Sequence, residues 1–414
     1  MSSTATIAIE ENQADLLPRV VPAHRIGSDH EALDIARALA AEFRTGASER
    51  DRERRLPWAE IEKFSASGLG GISVPRAFGG AEVSYRTLAE VFRVLCSADP
   101  ALGQIPQNHF GILGVVAQNA DAAQKARIYA DVLAGQRIGN AGPERGTKNI
   151  LEMKARLLET PSGYRLNGKK FYSTGALFAH WVPVKALDEQ GRVVLVFVKR
   201  GTQGLTVVDD WSGFGQRTTA SGTVLLDNLP VAAENVISLH KLAEQASIQG
   251  PVSQLIQAAI DAGIAEAAVD DAISFVRTRS RPWADSGVER ASDDPYIIRD
   301  IGDLKIRLHA ANALLAKAAG VLDQISAVTI DAEASARASI AVAKAKVLTT
   351  EIALHASEKL FELAGSAATL AEHNLDRHWR NARTHTLHDP VRWKLHAIGN
   401  YVLNGIAPAR HSWN

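Results

Sequence analysis

A chain of 414 residues is too long for a single hydrophobic core and predicts two or three packed units. Its 46 basic residues balance 46 acidic ones with no Lys/Arg block, which excludes the electrostatic footprint of a nucleic-acid binder and points to a small-molecule partner. The lone Cys96 excludes an internal disulfide, and no stretch is long and apolar enough to cross a bilayer, so a soluble protein of the reducing cytoplasm is expected.

Residues 1–27 show no element pattern and read as a flexible leader. Ser28 and Glu31 then stand in capping-box spacing before Leu33, Ile35, Ala36, Leu39, Ala40 and Phe43, which predicts an amphipathic helix. Pro57 opens a second helix through Trp58, Ile61 and Phe64, and a Gly-rich end stops it. Tyr85, Leu88, Val91, Phe92 and Leu95 repeat the period, and Asp121 with Gln124 caps another helix. Residues 28–135 therefore read as an N-terminal helical domain.

Near residue 136 the apolar period becomes two. In "YRLNGKKFYS" the Asn167-Gly168 pair predicts a hairpin turn, and "VVLVFVKR", "LTVVDD" and "TVLLDNLPV" supply further strands, so residues 136–245 read as a compact β domain, a sheet or barrel. From 246 to 414 the composition returns to Ala, Leu, Ile, Glu and Lys. Helical windows at 251–280, 296–326 and 330–364, with the final stretch, predict a four-helix bundle. The polar residues 281–295 between the first two windows predict a loop or lid.

Near the end, "RTHTLHDPVRWK" packs two histidines and an aspartate into five positions. Asp389 before Pro390 predicts an N-cap with Pro at the first helical position, which would lower the carboxyl pKa and make Asp389 a poor proton abstractor. The spacing of His385 and His388 suits a metal, but the bundle windows lack a Glu-x-x-His pair, so no metal is expected. "GFGQRT" lacks dinucleotide-binding spacing.

The helix, β, helix order, with "NAGPERG" at 140–146, "NGKKFYSTGALFAHWVPVKA" at 167–186, "GFGQRTTASGTVLLDNLPVAAENVI" at 213–237 and "FVRTRSRPW" at 275–283, resembles the acyl-CoA dehydrogenase superfamily over nearly the whole chain. "DRERRLPW", "GQIPQNHFG" and "WSGFGQRTTASGT" narrow the resemblance to sulfur-acquisition oxidoreductases of SfnB type, similar to reduced-flavin monooxygenases such as dibenzothiophene monooxygenase. The resemblance implies a mainly α fold with a central β-barrel between an N-terminal helical domain and a C-terminal four-helix bundle. It also implies a homotetramer with a flavin between the β domain and the bundle.

The implied cofactor is reduced FMN, with FAD as the alternative. A separate flavin reductase would supply it, and O2 and a small organosulfur compound would be the substrates. By position, Asn140 and the backbone near Glu144 correspond to ring-edge contacts, Phe171, Ser173 and Thr174 to the strand against the ring, and Trp211 and Ser221 to the next loop. Arg279 and Arg281 correspond to phosphate binders. His388 and His109 would manage protons, since an imidazole can give and take one near neutrality, with Ser173 beside the reacting atoms. Read from residue type alone, Phe171 and Trp211 are more often core residues than a cofactor wall, and the two arginines a solvated turn; the resemblance reverses the first reading. The alternatives are an FAD-dependent acyl-CoA dehydrogenase, which the missing Glu-Gly-Thr phrase disfavours, and a non-catalytic flavin-binding protein.

Overall fold

The computed structural model describes residues 17–149, 152–240, 245–411 and 413–414. Most of the expected leader, residues 1–16, lies outside the described residues. Its remainder is fastened down: His180 Nε2 donates to Arg19 O at 3.0 Å, His24 N donates to Ala66 O at 2.9 Å, and Ile26 is buried.

Seven helices follow, α1 (Asp29–Arg44), α2 (Ala47–Glu53), α3 (Trp58–Ala66), α4 (Tyr85–Ala98), α5 (Pro100–Gln104), α6 (Gln107–Asn119) and α7 (Ala122–Leu133). Their caps follow from the sequence. The Ser28 side chain accepts from Glu31 N, while Glu31 turns back to Gly27 N, and Asp121 with Gln124 forms the complete reciprocal box.

The middle of the chain is a seven-stranded sheet of β1 (Arg156–Thr160), β2 (Gly163–Phe171), β3 (Trp181–Leu187), β4 (Val193–Lys199), β5 (Leu205–Val208), β6 (Thr223–Val231) and β7 (Val236–Ser238), in the order β5-β6-β2-β1-β3-β4-β7. All pairs are antiparallel except β1 with β3. The hairpin expected at Asn167-Gly168 turns instead between Thr160 and Gly163, and the Asn-Gly pair sits inside β2. There the register to β6 slips between Leu166 and Gly168, a bulge. Glycine is needed because φ is +155° and a Cβ would meet Ala155 Cβ at 2.6 Å.

The long helices α8 (Gln249–Thr278), α9 (Pro295–Ser326) and α10 (Ala332–Ala364) match the three predicted windows, and α11 (Asp376–His385) and α12 (Arg392–Asn404) complete the bundle. Burial follows from α8, whose Leu255, Ile256, Ala259, Ile260, Ala265 and Val269 are fully enclosed. They join residues of α1, α4 and α6 in one continuous core, while the sheet keeps a second core of its own. Polar groups on α8 turn toward α10, α11 and the turn after α11: Asp261 meets Lys346, Thr350 and His385, and Gln257 meets His388.

Candidate functional site

Gln254, Gln257 and Asp261 recur on one stripe of α8 and are all buried. Asp261 accepts from Lys346 Nζ at 2.6 Å and Thr350 Oγ1 at 2.7 Å on α10, and from His385 Nδ1 at 2.5 Å at the end of α11. Burial alone would raise the Asp261 carboxyl, but Lys346 and His385 outweigh it and hold it at about 2. An ionised Asp261 only accepts, so His385 Nδ1 carries the hydrogen. Burial lowers the His385 pKa against the pull of Asp261. The ring is therefore neutral at pH 7, and its buried Nε2 is a lone pair with no partner among the described residues.

The turn after α11 carries the next two groups. His388 is about one-third exposed, with Nε2 3.4 Å from Gln257 Nε2 and Nδ1 3.7 Å from Asp389 Oδ1. Turning over the Gln257 amide would let His388 Nε2 donate to Oε1. Asp389 is buried, and Lys394 Nζ lies 3.5 Å from its Oδ2. Burial would raise this carboxyl too, yet His388, Lys346 and Lys394 hold it well below the usual carboxylate range. His388, Asp389, Trp393, Lys394, His396 and Trp413 border an open cleft of about 470 Å³.

From the sheet side, residues 209–222 lean onto α11. Gln216 N donates to Asn381 Oδ1 at 2.7 Å, and Arg380 Nη1 donates to Phe214 O at 3.0 Å. A Cβ on Gly215 would lie 1.9 Å from Arg380 O and 2.7 Å from Thr384 Oγ1, so only glycine permits this approach. Gln216 and Ala220 are held at positive φ, +51° and +47°. The carbonyl of Gln216 is pinned by Trp211 Nε1 and Thr219 Oγ1.

That carbonyl also fixes the direction of a hydroxyl chain. Thr219 donates to Gln216 O, so Ser221 must donate to Thr219, and Thr174 must donate to Ser221, each step at 2.7 Å. Thr174 Oγ1 is left with lone pairs to accept a ligand N–H. Beside it Ser173 N donates to Gly222 O, while its buried Oγ has no partner among the described residues. The Gln216 and Gln254 amides, Gln257 Oε1 and Thr384 Oγ1 are likewise buried without partners among the described residues. An interior with this many unmatched donors and acceptors suits a polar ligand and is costly without one.

Comparison with known proteins places this arrangement. The acyl-CoA dehydrogenase N-terminal domain model matches residues 29–136, and the acyl-CoA dehydrogenase C-terminal domain model matches residues 255–393. The dibenzothiophene monooxygenase of Rhodococcus erythropolis is 33% identical over 93% of this chain and 96% of its own length. The chain belongs to the acyl-CoA dehydrogenase family. Within that family it is also similar to the probable FMNH2-dependent monooxygenase SfnC of Pseudomonas putida, at 31% identity over 91% of this chain and 96% of that protein. The crystal structure of FMN-bound TdsC from Paenibacillus sp. A11-2 superposes with a TM-score of 0.88, at 31% identity over 92% of this chain and all of that one.

Of the residues expected to form this family member's site, Asn140, Phe171, Ser173, Thr174, Trp211 and Ser221 lie together on the sheet domain. Asn140 Nδ2 approaches Tyr172 O at 3.4 Å, and the Phe171 and Trp211 rings are 6.5 Å apart. One face of Phe171 is covered by the Arg145 guanidinium at 4.0 Å, so the open aromatic surface is Tyr172 and Trp211. Ser221, mid-chain among the hydroxyls, positions Thr174.

His109 does not fit the proton-carrying role. Its Nε2 donates to Gly70 O at 2.8 Å and its Nδ1 accepts from Ile138 N at 3.0 Å, so both ring nitrogens are committed to backbone. Burial, aided by Arg137 and opposed by Gly70, pushes its pKa down to about 4. Nor does Asp389 cap a helix: α12 begins at Arg392 after Val391, and the carboxylate turns to Lys394 and His388.

Arg279 and Arg281 are exposed at the far end of α8. Arg279 stands roughly 22 residues beyond Gln257, about 33 Å along the helix axis. Neither it nor the 281–295 loop can reach His388 of the same chain, which removes that loop as a lid on its own cleft. Sequence reasoning missed Tyr172, Gln216, Gln254, Gln257, Asp261, Lys346 and Lys394. The i, i+3, i+7 spacing of polar residues in the otherwise apolar 251–280 window was the available signal for the α8 stripe.

Proposed function

We propose that this chain is a monooxygenase that uses reduced FMN and O2 to oxygenate a small organosulfur compound, with a separate flavin reductase supplying the FMN. The carrying observation is the turn at 385–389. It offers His388 to the cleft, while Asp389 and Asp261 each lie against a buried lysine and a histidine. A base for a substrate α-proton needs a carboxylate of raised pKa, and both acids are shifted the other way. This disfavours the dehydrogenase alternative.

The residues present fit a flavin. Ser173 Oγ has no partner among the described residues, Thr174 Oγ1 donates to Ser221 and keeps lone pairs to accept from a polar edge, Tyr172 and Trp211 offer aromatic surface, and the Gln216 and Gln254 amides and Gln257 Oε1 are buried without partners among those residues. When bound, reduced FMN supplies two electrons to O2, one oxygen atom going to sulfur and the other leaving as water. The chain's own work is to exclude water, hold the ligand edge at Ser173 and Thr174, and move a proton at His388 Nε2. Relatives named for dibenzothiophene and for FMNH2 support the substrate class and the cofactor.

Arg279 and Arg281 fit a flavin phosphate only if that flavin belongs to a neighbouring copy. The exposed Trp283, Tyr296, Ile298 and Ile306 beside them offer the apolar contact surface an oligomer would bury. A homotetramer is the expected assembly, read by light scattering during size exclusion. The activity test is anaerobically reduced FMN mixed with oxygenated buffer and a panel of sulfides, sulfones and sulfinates. Substrate-dependent oxygenated product is expected, and peroxide alone across the panel would refute the reading.

A further inference from the structure

Most buried cations among the described residues stand against a carboxylate. Among the described residues five Lys or Arg side chains are buried: Arg50, Arg137, Lys170, Lys346 and Lys394. Arg50 has Asp99 at 2.9 Å and Glu60 at 3.1 Å, Lys170 has Glu144 at 2.7 Å, Lys346 has Asp261 at 2.6 Å, and Lys394 has Asp389 at 3.5 Å. Arg137 has no carboxylate within 4.0 Å among the described residues. Its Nε donates to Phe178 O at 2.8 Å and its Nη1 to Ser65 Oγ at 2.7 Å, while the buried Nη2 has no partner among those residues. Burial pushes its pKa down to about 10 against the longer-range pull of Glu62, so the guanidinium is still a cation at neutral pH. A buried charge with no counter-charge in direct contact is costly for a fold to carry.

Beside Arg137 lies a cavity of about 30 Å³. That volume admits one or two water-sized particles. Its lining includes Arg25, Arg137, His24 and His109 and no acidic residue. His109 is neutral and committed to backbone on both nitrogens, so it does not compete for the space as a charge.

We propose that this cavity, which Arg137 lines, is a binding site for a monatomic monovalent anion of chloride size held by its guanidinium. The site joins residues 23–26, the 68–71 turn, the 135–138 segment and the 175–178 turn, which bring together the N-terminal segment, the helical domain and the sheet domain. The anion is thus a structural counter-ion at a three-way joint, separate from the His388 cleft and independent of the oxygenase reading.

The first test is a bromide soak of crystals of the full chain, with data collected at the bromine absorption edge. An anomalous peak in the cavity beside the Arg137 guanidinium is expected; water at that position, or bromide only elsewhere, overturns the proposal. The second is the melting temperature at constant ionic strength as gluconate is replaced by chloride. It should rise and saturate for the unmodified protein and stay flat for Arg137→Met and Arg137→Gln. An equal chloride response in variants and parent also overturns it. Should neither variant fold, the bromide experiment on the unmodified chain decides. Failure here would leave the activity assay unaffected.

Discussion

Replacing His109 separates a structural imidazole from a catalytic one. Its folded pKa is about 4 against an ordinary 6.5, because burial disfavours the cation more than the Gly70 hydrogen bond favours it. A depressed folded pKa contributes stability that is present above the unfolded value and lost as pH falls toward the folded one. At pH 5 the unfolded ring is almost wholly protonated and the folded ring almost wholly neutral, which removes about 2 kcal/mol relative to pH 7. The loss saturates near 3 kcal/mol once the folded ring protonates. His180, also pushed down to about 4, adds a parallel loss that cancels in a comparison of variant with parent. His109→Gln should be less stable at pH 7 by about 1–3 kcal/mol, since Gln cannot serve both Gly70 O and Ile138 N. Its further drop on going to pH 5 should be smaller than the parent's by about 2 kcal/mol. Urea unfolding of both proteins at the two pH values is the assay. Equal drops, or an NMR titration placing His109 near 6.5, would refute the reasoning.

Three other outcomes follow from the site. His388→Ala should lower oxygenated product by about 10²–10⁴-fold and raise uncoupled peroxide while far-UV circular dichroism is unchanged; unaltered coupling would remove His388 from the chemistry. Asp261→Asn strands Lys346 as a buried charge and should cost about 3–5 kcal/mol in urea unfolding. The double variant Asp261→Asn, Lys346→Met should recover part of that, and no recovery would show that the pair is not the source. Arg279→Ala should weaken FMN binding by about tenfold, roughly 1.4 kcal/mol, without shifting the melting temperature of the flavin-free protein; an unchanged affinity would leave Arg279 a solvated turn residue.

The long elements were legible because burial imposes its period on the sequence. The windows at 251–280, 296–326 and 330–364 fall within two residues of α8, α9 and α10 at every end. Local signals failed where a tertiary partner outbid them. Asn167-Gly168 is a hairpin phrase, yet Asn167 Oδ1 accepts from Asn228 N across the sheet and Gly168 admits Ala155, so the pair became a bulge. Asp389-Pro390 is a capping phrase, yet Lys394, three residues into α12, attracts the carboxylate more strongly than the local backbone does. The sheet half of the site was legible through the family phrases at 167–186 and 213–237. The bundle half was not, because a buried glutamine on an Ala-rich helix looks from sequence like a solvent-facing one. Only the fold reveals that Gln254 and Gln257 are buried.

The same pairing of charges that holds the bundle together limits its chemistry. Asp261 is locked by Lys346, Thr350 and His385, and Asp389, without a hydrogen bond to either oxygen among the described residues, lies 3.5 Å from Lys394 and 3.7 Å from His388, so each acid stays ionised throughout the neutral range and is too weak a base to take a carbon-bound proton. Neutralising either acid to raise its basicity would leave a lysine buried without a counter-charge, which opposes such a change on stability grounds alone. His388 is the group at this turn that combines exposure to the cleft with a ring able both to give and to accept a proton. His385, fixed as the Nδ1–H tautomer by Asp261, presents a bare Nε2 one turn earlier. An acceptor buried beside a donor-acceptor open to the cleft suits shuttling protons to and from oxygen, and it lacks the strong, isolated carboxylate that dehydrogenation at carbon requires.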